Sequence, residues 1–311
     1  MNELPPFRRC LPVLTLALAA VAVMPGCSVR KMAIDQLGAA LAEGSSTWAS
    51  DDDLELVRDA TPFALKTMES LIVASPDNRD LLLAAASGFT QYTFVYVHSE
   101  SDYVEASDLA AATAMRARAK RLYRRALGYG LRGLEVSHPG FGAALRRDGA
   151  ATLAGVRSAK DVPLLYWTGA AWGALISLSK DEGEVSADLP LVEAMLRRAL
   201  ELDATFGDGA LWDFFISLEG GKPVAAGGSP ERARAAFDRA VAISGGRRAA
   251  PYVGLAESVC VGAQDRAEFL RLLDAALAVD PDAWPEQRLA NLVAQKRARW
   301  LKSRADELFI E

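Results

Sequence analysis

Side chains able to do covalent or acid–base chemistry are few in this chain of 311 residues, and their spacing is poor for it. The two histidines, His98 and His138, fall in segments read as lying between helices. Neither belongs to a His-x-x-x-His pair or has a cysteine beside it, so neither a zinc-type centre nor a histidine-activated nucleophile is written locally. Aspartate and glutamate total 40, yet no two are set apart in an apolar stretch as the paired carboxylates of glycoside hydrolysis would be. Gly128, Gly130 and Gly133 match G-x-G-x-x-G. That motif cradles a pyrophosphate only where a strand feeds a helix, and here it follows Arg116 to Leu127, an amphipathic helix. The expectation is a protein with no catalytic residues, no metal and no cofactor.

One residue does carry a covalent reading. Arg8 and Arg9, the uncharged run from Cys10 to Met24, and Pro25-Gly26-Cys27-Ser28 follow the order of a secretory signal peptide. Fifteen apolar residues are short for a membrane span. A cysteine after a small residue resembles the bacterial lipobox, in which the thiol is diacylated and becomes the new N-terminus. Ser28 in place of aspartate then directs the protein to the outer membrane. A plain signal peptide with an incidental cysteine is the alternative. Removal of residues 1–26 leaves 33 basic and 39 acidic residues, a net −6, which excludes a nucleic-acid partner. Cys260 is then the only free thiol, in a helical stretch that reads as core.

The elements that would position any site are helices. Apolar residues recur at three- and four-residue spacing between Pro, Gly, Asp and Ser, and no stretch alternates like a half-buried strand. Asp51-Asp52-Asp53 ahead of Leu54 read as carboxylates at a helix N-terminus, and Asp161 ahead of Pro163 reads as a capping side chain before another helix. Five segments ending at Ser75, Ser137, Asp203, Ser244 and Asp280 read as closing turns of helices. Their spacings are 62, 66, 41 and 36 residues, and the last two approach the 34-residue tetratricopeptide period. The fold expected is all-α: irregular tetratricopeptide-like hairpins packed as a bundle or solenoid around a central cleft. Residues 1–26 are the signal peptide, 27–49 the lipidated linker and start of the first helix, and 50–311 the helical domain.

Three features could serve binding. Val162 to Ser179 carries no charge and holds Tyr166, Trp167 and Trp172, which reads as a helix buried all round rather than a membrane span. Phe89 and Tyr92, with Gln91 beside them, form a second aromatic stripe, and Trp212 heads a third group with Asp213, Phe214 and Phe215. Asn291 and Gln295 are polar residues on a core-facing stripe. Phe89, Gln91, Tyr92, Tyr166, Trp167, Trp172, Trp212 and Asn291 are the candidate ligand contacts, since aromatic and small residues together can wall a cleft. Each also reads as plain core. Arg116, Arg118, Lys120, Arg121, Arg124 and Arg125 form a basic patch, either a solvated face or a docking strip for an acidic protein or anionic headgroups.

Asp51-Asp52-Asp53-Leu54-Glu55-Leu56-Val57, Ser87-Gly88-Phe89-Thr90-Gln91-Tyr92, Asp161-Val162-Pro163-Leu164-Leu165-Tyr166-Trp167, Gln264-Asp265-Arg266-Ala267-Glu268-Phe269 and Arg288-Leu289-Ala290-Asn291 resemble, in this order, the TRAP-transporter-associated tetratricopeptide lipoproteins, the TatT component. The resemblance runs from about Ser50 to Phe309. It implies a periplasmic lipoprotein, a homotrimer with a cleft in each protomer, held at the membrane by its lipid. It further implies docking to the substrate-binding P component of a TRAP transporter, with a small apolar or anionic ligand in the cleft. The alternative is a scaffold for envelope assembly with no small-molecule ligand.

Intact-mass spectrometry of the chain made in a bacterium tests the anchor. The mature protein should start at Cys27 and carry the mass of a diacylglyceryl group, and Cys27→Ser should carry no lipid.

Overall fold

The computed structural model describes Gln36 and residues 45–310. The signal peptide and Cys27 lie outside the described residues, which are helical and contain no strand. In chain order the helices are α1 (Ser45–Ala49), α2 (Leu54–Ala74), α3 (Arg79–Thr93), α4 (Ser99–Val104), α5 (Leu109–Ser137), α6 (Phe141–Arg147), α7 (Gly149–Gly155), α8 (Val162–Ser177), α9 (Gly183–Ser186), α10 (Leu189–Leu202), α11 (Phe206–Gly221), α12 (Pro230–Ser244), α13 (Ala250–Leu255), α14 (Val261–Ala263), α15 (Arg266–Ala278), α16 (Arg288–Ser303) and α17 (Ala305–Leu308). Each of the five marked segments does end a helix, at Ala74, Ser137, Leu202, Ser244 and Ala278.

Caps set several of these boundaries. Asp53 accepts the backbone N–H groups of Glu55 and Leu56 at 2.9 Å, as its position before an apolar run requires. Asn78 does the same for Leu81 at the start of α3. Asp161 departs from the expected pattern: its side chain makes no cap bond to α8. Its carboxylate instead takes Arg79 at 2.8 Å and His138 Nε2 at 3.0 Å. A carboxylate 5% exposed is held better by two side-chain donors than by a helix start whose first turn already contains Pro163.

His98 also departs from its reading as an inter-helix residue. Residues Phe94–His98 form a π-turn that joins α3 to α4 without a break, and Ala256–Cys260 joins α13 to α14 in the same way. A π-turn inserts a residue into the helix and re-aims the side chains beyond it. Asp102 lies beyond the first turn and Glu257 within the second, and both reach Arg297 on α16, Asp102 at 3.0 Å. Lys296 pairs with Glu100, Tyr103 packs on Trp300 at 5.3 Å, and Arg288 donates to the Ser50 carbonyl at 2.8 Å. The last long helix is thereby tied to the first ones, and the succession of helices closes on itself.

Helix α8 is the spine. Leu164, Leu165, Trp172 and Ile176 belong to the larger core, which runs on through α10 to α17. Ala171 and Leu175 belong to a smaller core with α2, α3 and α5. With apolar neighbours on two sides, the helix needs no charge. Its crossing with α5 is close because α5 supplies glycines: a Cβ on Gly130 would stand 2.2 Å from Thr168 Oγ1 and 3.2 Å from the Thr168 Cα, and one on Gly133 would stand 2.6 Å from Leu164. Two of the three glycines that mimic a nucleotide motif thus permit a helix contact. Gly128 meets nothing within 4 Å.

These two positions should respond oppositely. Gly130→Ala should cost about 1–3 kcal/mol through overpacking against a short side chain and backbone. Gly128→Ala should gain up to about 1 kcal/mol from helix propensity. The midpoints of urea unfolding read both.

Candidate functional site

Along α8 the residues not sealed in either core are Pro163, Tyr166, Trp167, Ala170, Gly173, Ala174 and Ser177, at spacings of three and four. They form one strip, uncharged from end to end and only partly covered. The Tyr166 ring meets Trp167 at 4.8 Å and Phe206 at 5.3 Å. Phe214 lies over Gly173, where a Cβ would stand 2.9 Å from its ring. Helix α11 therefore covers part of the strip and adds aromatic surface to it.

The start of α11 is distorted. Gly207, Asp208 and Gly209 all adopt left-handed backbone angles, φ 59°, 56° and 98°. Asp208 is a residue for which this conformation is uncommon. Two side chains hold it: Gln287 donates to its carboxylate at 2.8 Å and Arg248 Nη1 to its carbonyl at 3.4 Å. One turn on, Asp213 Oδ2 pairs with Arg248 Nη2. Arg248 is 7% exposed, and its backbone is fixed from below by Asn291, whose Oδ1 accepts from Ala249 N at 2.9 Å and whose Nδ2 donates to the Arg247 carbonyl at 3.0 Å. Asn291 thus positions the arginine.

Asp213 is half-used. Its Oδ1 is shut off from solvent, and no group among the described residues bonds it. Burial raises its pKa and Arg248 works against that rise. Burial pushes the Tyr166 phenol up to about 12, with smaller opposing influences from Asp213 and Arg248. At neutral pH the phenol keeps its proton. Helix α11, which covers part of the strip, thus carries Asp213, paired through Oδ2 with buried Arg248 and with its Oδ1 enclosed and unbonded.

The structure places the other sequence candidates elsewhere. Phe89 and Tyr92 are buried in the smaller core, with Arg125 and Arg118 lying over their rings on the outer side. Trp172 is 2% exposed and capped by Arg146. Gln91 bonds back to the Ser87 carbonyl of its own helix at 3.4 Å. Trp212 is half-buried and donates to the Ala204 carbonyl at 2.9 Å. Gln295 holds the end of α15 through the carbonyls of Ala276, Leu277 and Val279. Cys260 is buried, and burial with nearby Glu268 pushes its thiol up to about 12, which leaves it unreactive. Arg248 and Gln287 escaped sequence reasoning, because nothing local marks a residue whose partners lie 35 or 79 positions away.

The basic patch is largely neutralised within the fold. Arg116 pairs with Glu105 and Asp102, Lys120 and Arg124 share Glu182, Arg125 reaches Glu69 at 3.4 Å, and Arg118 donates to the Tyr92 hydroxyl. Arg121 is exposed. A shallow surface hollow of about 370 Å³, lined by Pro76, Asp77, Arg132, Glu135 and Val136, lies away from the strip residues.

A second surface stands out on α2. Leu56, Ala60, Phe63, Thr67, Ser70 and Ala74 share its outward face, all exposed, with Leu56 at 58% and Phe63 at 80%. The Thr67 and Ser70 hydroxyls donate to the carbonyls of Phe63 and Lys66, so the face offers a partner few hydrogen bonds. Asp51, Asp52, Asp53, Glu55 and Asp59, against Arg58, give the end of this face a net −4.

The family described as the TRAP transporter T-component matches residues 50–309 of this chain. The chain is also similar to a protein of Treponema pallidum (strain Nichols) whose printed name is "Uncharacterized protein". The two are 29% identical over 316 residues, covering 96% of this chain and 98% of the other.

Removing one member of the buried ion pair should be costly. Arg248→Met leaves Asp213 uncompensated and should lose about 3 kcal/mol at pH 8. Without the arginine the folded-state pKa of Asp213 rises further above its unfolded value, so the native state binds the proton first. The deficit should therefore shrink as pH falls from 8 to 5. Urea unfolding across that range, with Arg248→Met/Asp213→Leu as the restored control, measures it.

Proposed function

The chain belongs to the TRAP transporter T-component family, and from that premise we propose that it works as an exported lipoprotein, anchored through Cys27 to the outer membrane. There it docks the substrate-binding P component and holds a small solute on its inner strip. Membership makes it an accessory component of a TRAP transporter. The observation that carries the solute reading is the α8 strip: Tyr166, Trp167, Ala170, Gly173 and Ala174 are uncharged and partly open, although the same helix is packed against apolar cores on its other sides. A helix that served packing alone would dress such a strip with long polar side chains. Tyr166 and Trp167 are the aromatic contacts of the site. The reading keeps tetratricopeptide-like hairpins and a homotrimer as the working form.

The P component is assigned to the outward face of α2. Leu56, Ala60 and Phe63 offer apolar area without hydrogen bonds, and the acidic end of the face calls for apolar residues flanked by lysine or arginine on the partner. Large exposed side chains aligned on one helix face are the mark of a helix-in-groove contact.

Leu56→Asp/Phe63→Asp should weaken binding of the purified P component at least ten-fold, read by isothermal titration, with the oligomer mass unchanged. Loss of the oligomer would give this face to contacts between copies. Unchanged affinity and unchanged mass would remove it from any interface.

A further inference from the structure

His98 is built into the seam where the two ends of the chain meet. The π-turn Phe94–His98 sets it against α5, with its Nδ1 3.2 Å from the Tyr123 hydroxyl and its ring edge-on to the Tyr123 ring at 5.9 Å. Tyr123 is fully buried, and burial pushes its phenol above the usual range, so the phenol keeps its proton and donates it to Nδ1. Among the described residues that hydroxyl has no other hydrogen-bond partner. A protonated imidazole carries N–H at both ring nitrogens and accepts nothing, so a charged His98 would leave the buried Tyr123 O–H without an acceptor.

The natural partner for a charged His98 is Asp102, one helical turn on and on the same face. Both oxygens of Asp102 are already engaged: Oδ1 takes Arg116 Nη2 of α5 at 3.1 Å, and Oδ2 takes Arg297 Nη1 of α16 at 3.0 Å. Each arginine has a second carboxylate to fall back on, Glu105 for Arg116 and Glu257 for Arg297. Asp102 can therefore be drawn away from α16 without stranding either cation. The Lys296–Glu100 pair, which also joins α16 to α4, has a half-exposed cation and holds less. The charged groups that face His98 are these same three, Asp102 on α4, Arg116 on α5 and Arg297 on α16, while the charged residues of α3, Arg79 and Asp80, stand at its opposite end. Burial lowers the His98 pKa, Asp102 opposes this, and the two arginines add to the lowering. A base held below its ordinary value of 6.5 in the closed form takes its proton more readily once the seam opens. Closure is thus favoured above that pH and weakens as the pH falls below it.

We propose that His98 is an acid-sensitive latch on the seam: neutral, it holds Tyr123 and leaves Asp102 to Arg297; protonated, it draws Asp102 away and lets α4 part from α16. The latch acts on the closure of the fold and does not depend on what the protein carries.

Hydrogen exchange of the purified full-length chain reads the latch, once the rate of each amide is divided by its intrinsic chemical rate at that pH. From pH 7.5 to pH 5 the protection of the α4 amides, Asp102 and Tyr103 among them, should fall about ten-fold, and an ordinary histidine in the open form limits the fall to about thirty-fold. Amides of α10 and α12 should change by less than about two-fold. His98→Gln, which keeps an acceptor for Tyr123 and does not titrate, should hold α4 protection constant within about two-fold. If that variant folds poorly, His98→Phe/Tyr123→Phe removes both partners and should hold it likewise. Constant α4 protection in the unaltered chain, or a fall that persists in both variants, would overturn the latch. So would an equal loss in α10 and α12, which marks general acid destabilisation.

Discussion

The structure depends on a meeting of its two ends at Arg297. A succession of packed helices that stops at each end leaves an apolar face without a neighbour, and each end then needs its own cover. Here the last long helix supplies that cover for the first ones, and Arg297 sits between Asp102 and Glu257 with little of its side chain exposed. Removing either carboxylate would leave a largely desolvated cation short of a partner, so the contact has a strong preference for being complete. The two π-turns belong to this seam. Each interrupts the α-helical register close to an acidic residue that the arginine needs. Tyr103, stacked on Trp300, adds an apolar element to a junction that is otherwise ionic.

Closure gives α8 its unusual position. A helix flanked by α5 and α3 on one side and by α10 and α11 on the other is buried enough to be uncharged along its length. The close approach of α5 through Gly130 and Gly133 draws it into the interior. What remains partly uncovered is a strip of small and aromatic residues, and α11, which lies over part of it, carries Asp213 of a rigid ion pair with Arg248. The strained run Gly207-Asp208-Gly209 stands next to that pair, held by Arg248 and Gln287. Backbone strain of this kind persists only where the surroundings over-determine it. The same arginine thus fixes a turn and a carboxylate together.

Much of this was legible in the sequence, for reasons that differ by residue. Helix ends were readable because Ser, Asp and Pro act locally, and of the three aspartates ahead of α2 it is Asp53 whose side chain caps the helix. Asp161 was misread because a buried carboxylate answers to Arg79 and His138, which sequence periodicity does not bring near it. His98 was placed between helices because a π-turn has no compositional mark. The aromatic residues were found but not sorted: Phe89 and Trp172 face cores while Tyr166 and Trp167 face the strip, and a three-to-four spacing marks a face without saying what covers it. Asn291 was noticed as a polar residue on a core stripe. Its role emerged only with Arg248, 43 positions earlier in the chain and without a signal of its own.

The account stands most directly on whether the chain carries a solute. The full-length protein, extracted gently from the membranes of cells that make it, can be weighed intact by native mass spectrometry and then denatured to release what it holds. A small molecule with an apolar body, lost on denaturation, is the predicted result. A chain that captures the P component yet releases nothing would contradict it and leave a scaffold in its place.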